Sequence, residues 1–176
     1  YILILALAVC AVVRSQGLQQ DFPWLEQPPK STIKNGDLEI PVVGFEGLYP
    51  LLHQSDKKVW VVNFWATWCA PCIKELPYFE SLAREYADRG VEVVLVSLDV
   101  PAMWEKRLPD FVEKKGIASP VVVLDDPDQN AWIPQVDADW SGAIPATLIY
   151  SADKRKFYEQ AFDKASLRQA IDSFIQ

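Results

Sequence analysis

Apolar residues along this chain alternate between short continuous runs and stretches with helical spacing, and the most informative run is Val59–Trp65. Its length and its β-branched and aromatic content are typical of a buried strand. The stretch that follows predicts an amphipathic helix, because its apolar residues recur at intervals of three and four and Gly90 supplies a C-terminal stop. These apolar positions are Ile73, Leu76, Phe79, Leu82, Ala83 and Tyr86.

The same patterns predict further elements on both sides of this unit. The predicted strands are Leu38–Val43, Val91–Leu98, Val121–Leu124, Ala146–Ser151 and Lys156–Ala161, the last two as a hairpin. The predicted helices are Phe45–His53, a helix from Pro101 to Gly116 that is interrupted at Pro109, and a last helix capped by Asp163 or Ser166. Strand, helical connection and strand form a βαβ unit, so Val59–Trp65 and Val91–Leu98 should be parallel.

Other segments are predicted from their turn and breaker residues. Residues 18–37, rich in Gln and Pro, are predicted as a lead-in or linker that ends in an Asn35–Gly36 turn. Pro41 is expected to confine its strand to a sheet edge, and residues 131–142 are expected to form a loop-like insertion. Asp99 follows a strand and is expected to cap the next helix; the alternative is that it faces an active site, since ligands favour the carboxyl ends of such strands.

The first residues are more apolar than the rest of the chain. The run Tyr1–Val13 has the length of the central region of a secretory signal and is too short for a comfortable membrane span. Residues 1–17 are therefore expected to be a signal peptide or membrane-targeting segment whose start lies further upstream. Such a segment predicts an extracytoplasmic, periplasmic protein that is either soluble after cleavage or tethered to the membrane through its N-terminus.

Length and charge limit the number of domains and the kinds of partner. A chain of 176 residues allows one domain, here residues 38–176, plus an extension. The formal net charge of −7 at pH 7 argues against a nucleic-acid partner, which would need a basic surface.

Cys69 and Cys72 carry the candidate chemistry at the predicted start of the helix. Unpaired N–H groups and the helix dipole favour an anion there, so Cys69 is expected to have a lowered thiol pKa and to be the attacking thiolate. Pro71 suits the first helical turn and stiffens the ring. A zinc site needs four ligands, and only Cys10 and His53 remain as further cysteine or histidine ligands. We expect no metal and no cofactor beyond a redox-active disulfide.

Two motifs extend this interpretation to a family. The segments are Val-Asn-Phe-Trp-Ala-Thr-Trp-Cys-Ala-Pro-Cys at 62–72, with Glu-Leu-Pro at 75–77, and Gly-Ala-Ile-Pro-Ala-Thr at 142–147. Together they resemble the TlpA-like and ResA-like branch of exported thioredoxin-like thiol–disulfide oxidoreductases. The resemblance implies an α/β thioredoxin-like fold, a central mixed sheet flanked by helices with an N-terminal strand or helix extension. It also implies a cis Pro145 beside the disulfide and a docking role for Ile144.

The resemblance also raises the question of which group accepts protons. Thioredoxin-type sequences have an aspartate in the strand below the dithiol, and the matching position is Asn63, which cannot titrate. Glu75 lies three residues after Cys72 on the same helix face and has no cation at helical spacing. Among aromatic neighbours its pKa should be raised, which suits a general base for Cys72. The alternative is a solvated surface glutamate.

We therefore predict an exported reductase of protein disulfides that works through a mixed disulfide. Its partners would be disulfide-containing exported proteins and a membrane thiol electron donor. An apolar rim would dock the substrate; its members are Trp65, Trp68, Ala70, Pro71, Ile144 and Trp140. The alternatives are a disulfide oxidase or isomerase, a thioredoxin-fold peroxidase, and a non-catalytic binding module with the same fold.

Overall fold

The computed structural model describes residues 22–175, which form one seven-stranded sheet with helices on both faces. The strands are β1 (Ser31–Asn35), β2 (Leu38–Val43), β3 (Val59–Trp65), β4 (Val91–Ser97), β5 (Val121–Leu124), β6 (Ala146–Tyr150) and β7 (Arg155–Tyr158). The helices are α1 (Phe45–Leu48), α2 (Ala70–Tyr86), α3 (Pro101–Trp104), α4 (Leu108–Lys115), α5 (Gln129–Val136) and α6 (Lys164–Asp172). Short 3₁₀ turns follow α1 at Tyr49–His53 and α2 at Ala87–Arg89.

The sheet is mixed, with the order β1-β2-β5-β4-β3-β6-β7. Strands β2, β5, β4 and β3 are mutually parallel, whereas β1, β6 and β7 each pair antiparallel with a neighbour. The predicted parallel pairing of β3 with β4 and the predicted hairpin of β6 with β7 are therefore confirmed. Strand β3 lies between β4 and β6. The chain therefore leaves β3 from the interior of the sheet and not from one of its two edge strands.

Side chains of β3 alternate between two hydrophobic cores. Val59, Val61 and Trp65 face the core covered by α2, α4 and α6. Trp60, Val62 and Phe64 face the opposite core, where α1, its 3₁₀ turn and α5 pack. All seven residues of β3 are buried, which explains why every one of them except Asn63 is apolar.

The prediction that Pro41 confines β2 to an edge is wrong. Strand β2 lies between β1 and β5. Strand β5 pairs only with Val42 and Val43, the two residues after Pro41, so the ladder on that side needs no N–H from the proline. Strand β1 falls within residues 18–37, predicted as a lead-in; its single apolar residue, Ile33, is too weak a pattern to predict a strand.

Residues 131–142 are not purely a loop, because α5 covers their first half. Asp128 caps this helix by accepting from the Ala131 N–H at 3.2 Å, and Trp132 and Val136 are buried one turn apart. The helix contains Pro134, so the prediction of a loop over residues 131–136 is wrong. The last helix, α6, begins with a capping box between Asp163 and Ser166, so both predicted cap residues take part.

The predicted targeting segment, residues 1–17, lies outside the described residues. Within residues 22–175, none of the helices has the length and apolarity needed to cross a bilayer.

Candidate active site

A disulfide between Cys69 and Cys72 lies where β3 passes into α2. After β3 ends, the Cys69 N–H donates to the Ala66 carbonyl oxygen at 3.1 Å and closes a tight turn. Cys69 is the N-cap of α2, and its Sγ accepts from the Cys72 backbone N–H at 3.3 Å. Pro71 lies in the first turn, where its missing N–H leaves no helical bond unmade.

The two sulfurs differ in their environments. The Cys69 side chain lies against the N–H groups of the first turn of α2, the positive end of the helix dipole, which stabilises a thiolate. Cys69 is 5% exposed, whereas Cys72 is fully buried. Cys69 is therefore the more accessible of the two cysteines.

Glu75 lies one helical turn beyond Cys72 and is 1% exposed, so the alternative of a solvated surface glutamate does not apply. Its Oε2 accepts from the Phe162 backbone N–H at 2.7 Å, and its Oε1 accepts from the Asn63 side-chain amide at 3.0 Å. Burial raises the pKa of Glu75 to about 7, although both hydrogen bonds oppose that rise. Among the described residues no cation forms an ion pair with Glu75.

Asn63 supports Glu75 from the sheet below. Its Nδ2 donates to Glu75 Oε1 and also to the Thr147 hydroxyl oxygen, both at 3.0 Å. Its Oδ1 is a buried atom for which residues 22–175 supply no hydrogen-bond partner. Since Asn63 cannot titrate, Glu75 is the group in this network that can exchange a proton near neutral pH.

The loop before β6 brings Ile144 and Pro145 to the disulfide. The Ile144 carbonyl oxygen lies 3.8 Å from Cys69 Sγ, and the Ile144–Pro145 peptide bond is cis. The Trp140 indole N–H donates to the Ala143 carbonyl oxygen at 2.8 Å and holds this loop against the second core. The backbone of Ile144 therefore borders the sulfur of Cys69.

The surface around the disulfide is apolar but smaller than predicted. Trp68 is 52% exposed, and Ala70 and Pro71 are exposed beside it, while Ile144 is half-buried. Trp65 and Trp140 do not belong to this surface. Trp65 is fully buried and packs against Phe111, and Trp140 is buried between Phe64 and Phe157. Both tryptophans contribute to the cores instead.

The prediction that Asp99 caps the next helix is wrong. Asp99 does not cap α3, whose N-cap is Val100 with no side-chain cap bond. Instead Asp99 is 2% exposed and binds the N–H and the hydroxyl of Thr67, two residues before Cys69. The alternative expectation, that Asp99 lies near the site because it follows the carboxyl end of β4 beside the end of β3, agrees with this contact.

The chain has a single histidine, His53. His53 is exposed at the end of its 3₁₀ turn, and its ring stacks on Tyr49 with centroids 4.0 Å apart. In the part of the chain that the structure describes, no cluster of three or more His, Cys, Asp or Glu side chains could hold a metal ion.

The sequence is similar to one family model and to several characterised proteins. The sequence profile of the AhpC/TSA family matches residues 48–155. The thiol-disulfide oxidoreductase ResA of Halalkalibacterium halodurans is 33% identical over 98 residues, which cover 56% of this chain and 51% of that protein. The ResA of Geobacillus thermodenitrificans is 30% identical over 114 residues, which cover 64% of this chain and 60% of that protein. The chain thus spans little more than half the length of these curated relatives.

A solved structure agrees with the topology. The thiol:disulfide interchange protein of the thioredoxin family from Chlorobium tepidum TLS has a TM-score of 0.59 and 20% sequence identity, and the match covers 85% of this chain and 95% of that one. At this identity the similarity establishes the fold. The thioredoxin-like fold and the resemblance to ResA-like proteins predicted from the sequence are both confirmed.

Proposed function

This chain belongs to the AhpC/TSA family, and on that premise we propose that it is a thiol–disulfide oxidoreductase that reduces disulfides of other proteins. The observation that carries the proposal is the position of the Cys69 sulfur. It caps α2 through the Cys72 N–H and lies 3.8 Å from the Ile144 carbonyl oxygen, at the edge of an exposed apolar surface. A peptide disulfide that pairs with the backbone at Ile144 reaches this sulfur.

The first step forms a mixed disulfide. The thiolate of reduced Cys69 attacks one sulfur of the substrate disulfide, and the substrate S–S bond breaks as the new S–S bond forms. The displaced substrate sulfur leaves as a thiolate and takes a proton from water. The exposed side chains of Trp68, Ala70 and Pro71 provide the apolar contacts that hold the substrate during this step.

The second step releases the reduced substrate. Cys72 lies one helical turn from Glu75, so their Cβ atoms are about 5–6 Å apart, within the reach of a water-bridged hydrogen bond. Glu75 takes the proton of the Cys72 thiol, and the resulting thiolate attacks Cys69 Sγ. The mixed disulfide breaks, the second substrate sulfur leaves, and two electrons have passed from the protein to the substrate. A pKa of about 7 allows Glu75 to accept and return this proton near neutral pH.

The residues around the dithiol support the direction of a reductase. The two residues between the cysteines are Ala70 and Pro71, neither of which is a cation that would stabilise the thiolate. The carboxylate of Glu75 opposes a nearby thiolate when it is ionised. A less stabilised thiolate makes the reduced form less stable and the reduction potential lower.

The apolar N-terminal sequence supports the cellular location that we propose for the reaction. The apolar run Tyr1–Val13 and the resemblance to exported proteins support an extracytoplasmic location, either free after cleavage or tethered. In that oxidising compartment the Cys69–Cys72 disulfide needs a supply of electrons. A membrane thiol donor is the partner that supplies them, and disulfide-containing exported proteins are the substrates.

The reduction potential of the Cys69–Cys72 couple tests the proposal. A value at or below about −230 mV, towards the thioredoxin end of the scale, is expected for a reductase. A value between about −180 and −120 mV would overturn the direction and indicate an isomerase or an oxidase.

The Cys72→Ser variant should trap the mixed disulfide with a protein substrate. Wild-type activity retained by the Cys69→Ser/Cys72→Ser variant would indicate a binding module, and consumption of hydroperoxide by the reduced protein would indicate a peroxidase.

A further inference from the structure

Thr67, two residues before Cys69, is bound by a buried carboxylate from the neighbouring strand end. Its backbone N–H donates to Asp99 Oδ2 at 3.0 Å and its hydroxyl donates to Asp99 Oδ1 at 2.7 Å. The Ser97 hydroxyl donates to the same Oδ2 at 2.8 Å, so both carboxylate oxygens are occupied. Thr67, Ser97 and Asp99 are all buried, which makes these bonds inaccessible to competing water.

A second side chain holds Thr67 from the α3–α4 region. The Arg107 guanidinium donates to the Thr67 carbonyl oxygen at 2.9 Å, so the N–H, the hydroxyl and the carbonyl of Thr67 are all bound. Just before it, the Trp65 carbonyl oxygen accepts from the Leu98 N–H at 2.8 Å, which continues the pairing of β3 with β4. The chain is therefore fixed at both 65 and 67 before it turns into α2.

This attachment determines where the reactive sulfur can lie. Two residues span at most about 7 Å, so a shift of Thr67 moves Cys69 almost directly. The turn between them has one internal bond, from the Cys69 N–H to the Ala66 carbonyl oxygen. The contact between Cys69 Sγ and the Cys72 N–H depends on this placement, because Cys69 is the N-cap and lies outside the regular helix.

We propose that Asp99 is a positioning residue for Cys69, acting through Thr67 to hold the sulfur over the first turn of α2. The role is distinct from the proton transfer assigned to Glu75, and it involves no contact between Asp99 and the substrate. It deepens the proposed function, on which it rests for its biological meaning. Its test measures the chemistry of the Cys69 thiol itself, which does not depend on whether the protein reduces any particular substrate.

The alternative is that Asp99 only stabilises the fold, and the chain offers a matched control for that possibility. Glu80, in the same helix as Cys72, is another buried carboxylate that binds backbone N–H groups. It accepts from Ala118 at 3.0 Å and from Ser119 at 3.1 Å, more than two helical turns beyond the disulfide. Glu80→Gln should therefore lower the melting temperature without changing the reactivity of Cys69.

The experiment compares full-length proteins carrying Thr67→Val, Thr67→Ser, Asp99→Ala or Glu80→Gln. Each is reduced, and the iodoacetamide alkylation of Cys69 is followed against pH by site-resolved mass spectrometry, alongside thermal unfolding. Thr67→Val removes the hydroxyl bond without changing charge, and Thr67→Ser retains the hydroxyl. We expect Thr67→Val and Asp99→Ala to raise the midpoint of the pH profile by about 0.7 pH unit, a fivefold loss of thiolate. Thr67→Ser and Glu80→Gln should leave the midpoint unchanged.

Two results would overturn the positioning role. The first is a midpoint unchanged in Thr67→Val despite a lowered melting temperature, which would leave Asp99 as a purely structural residue. The second is a lower midpoint in Asp99→Ala, which would mean that Asp99 acts through its charge. If Asp99→Ala does not fold, the pair Thr67→Val and Thr67→Ser decides the outcome, because these two differ in the hydroxyl that binds Asp99.

Discussion

The side-chain amide of Asn63 donates to Glu75 Oε1 at 3.0 Å, so a neutral residue in β3 supports a buried carboxylate one turn beyond Cys72. A neutral partner leaves the burial of Glu75 largely uncompensated, which is why its pKa rises to about 7 rather than falling. The strand therefore provides a hydrogen bond while the helix provides the titratable group.

Glu75→Gln should slow the release of substrate from the mixed disulfide while leaving its formation intact. The new amide cannot take the proton of Cys72, and a positioned general base contributes about 10²–10⁴-fold to the rate. Stopped-flow mixing with a fluorescent peptide disulfide separates the two steps, since the first gives the mixed disulfide and the second consumes it. Equal second-step rates in the variant and the wild type would remove Glu75 from proton transfer.

Glu75 should also make the oxidised protein less stable as pH rises. Its folded-state pKa of about 7 exceeds the ordinary value of 4.5, so the folded state binds more protons between these values and stability falls across that window. From pH 5 to pH 8 the loss attributable to Glu75 is about 2–3 kcal/mol in the free energy of unfolding. Urea unfolding at both pH values should show this loss in the wild type but not in Glu75→Gln. Equal losses in the two proteins would contradict a raised pKa.

Asn63→Asp should place two carboxyl groups at hydrogen-bond distance in a buried site. Like charges that close disfavour joint ionisation, so one group keeps its proton to higher pH. We expect the variant to lose about 3 kcal/mol or more of stability at pH 8 relative to the wild type, and much less at pH 5. The double variant Asn63→Asp/Glu75→Gln has a single carboxyl group and should recover most of the loss. Failure of the second substitution to rescue the first would show that repulsion is not the cause.

Trp68→Ala should weaken the docking of protein substrates without changing the chemistry of the dithiol. Trp68 is 52% exposed beside Cys69, and an aromatic side chain in such a contact is worth about 1 kcal/mol or more, a fivefold rise in KM. Turnover of glutathione disulfide, which has little surface to bind, should stay unchanged. Tyr49→Ala is the matched control, because Tyr49 is 44% exposed and stacks on His53. A comparable rise in KM in that variant would remove the special role of Trp68.

Strand β3 and helix α2 could be predicted from the sequence because the residue patterns that indicate them are local. Strand β3 has the bounds predicted for it, Val59–Trp65, since all seven residues are buried and the pattern needs no knowledge of partners. The helix after it is equally local, since its apolar spacing, the first-turn proline and Gly90 all act within a few residues. Local rules gave the bounds of β2 but not its place in the sheet, because strand pairing on both sides overrode the effect of Pro41, and they missed α5.

The sequence by itself determined the disulfide pair, because two cysteines three residues apart at the start of a helix need only local geometry to meet. The tertiary structure alone decided what surrounds that pair. The carboxylate of Glu75 accepts a hydrogen bond from the Phe162 N–H, which lies 87 residues further along the chain. Thr67 donates to the carboxylate of Asp99, which lies 32 residues further along. Helical or strand spacing reports which face a residue occupies, but not what covers that face. Burial and long-range hydrogen bonds, which decide pKa and position, arise only when distant segments pack together.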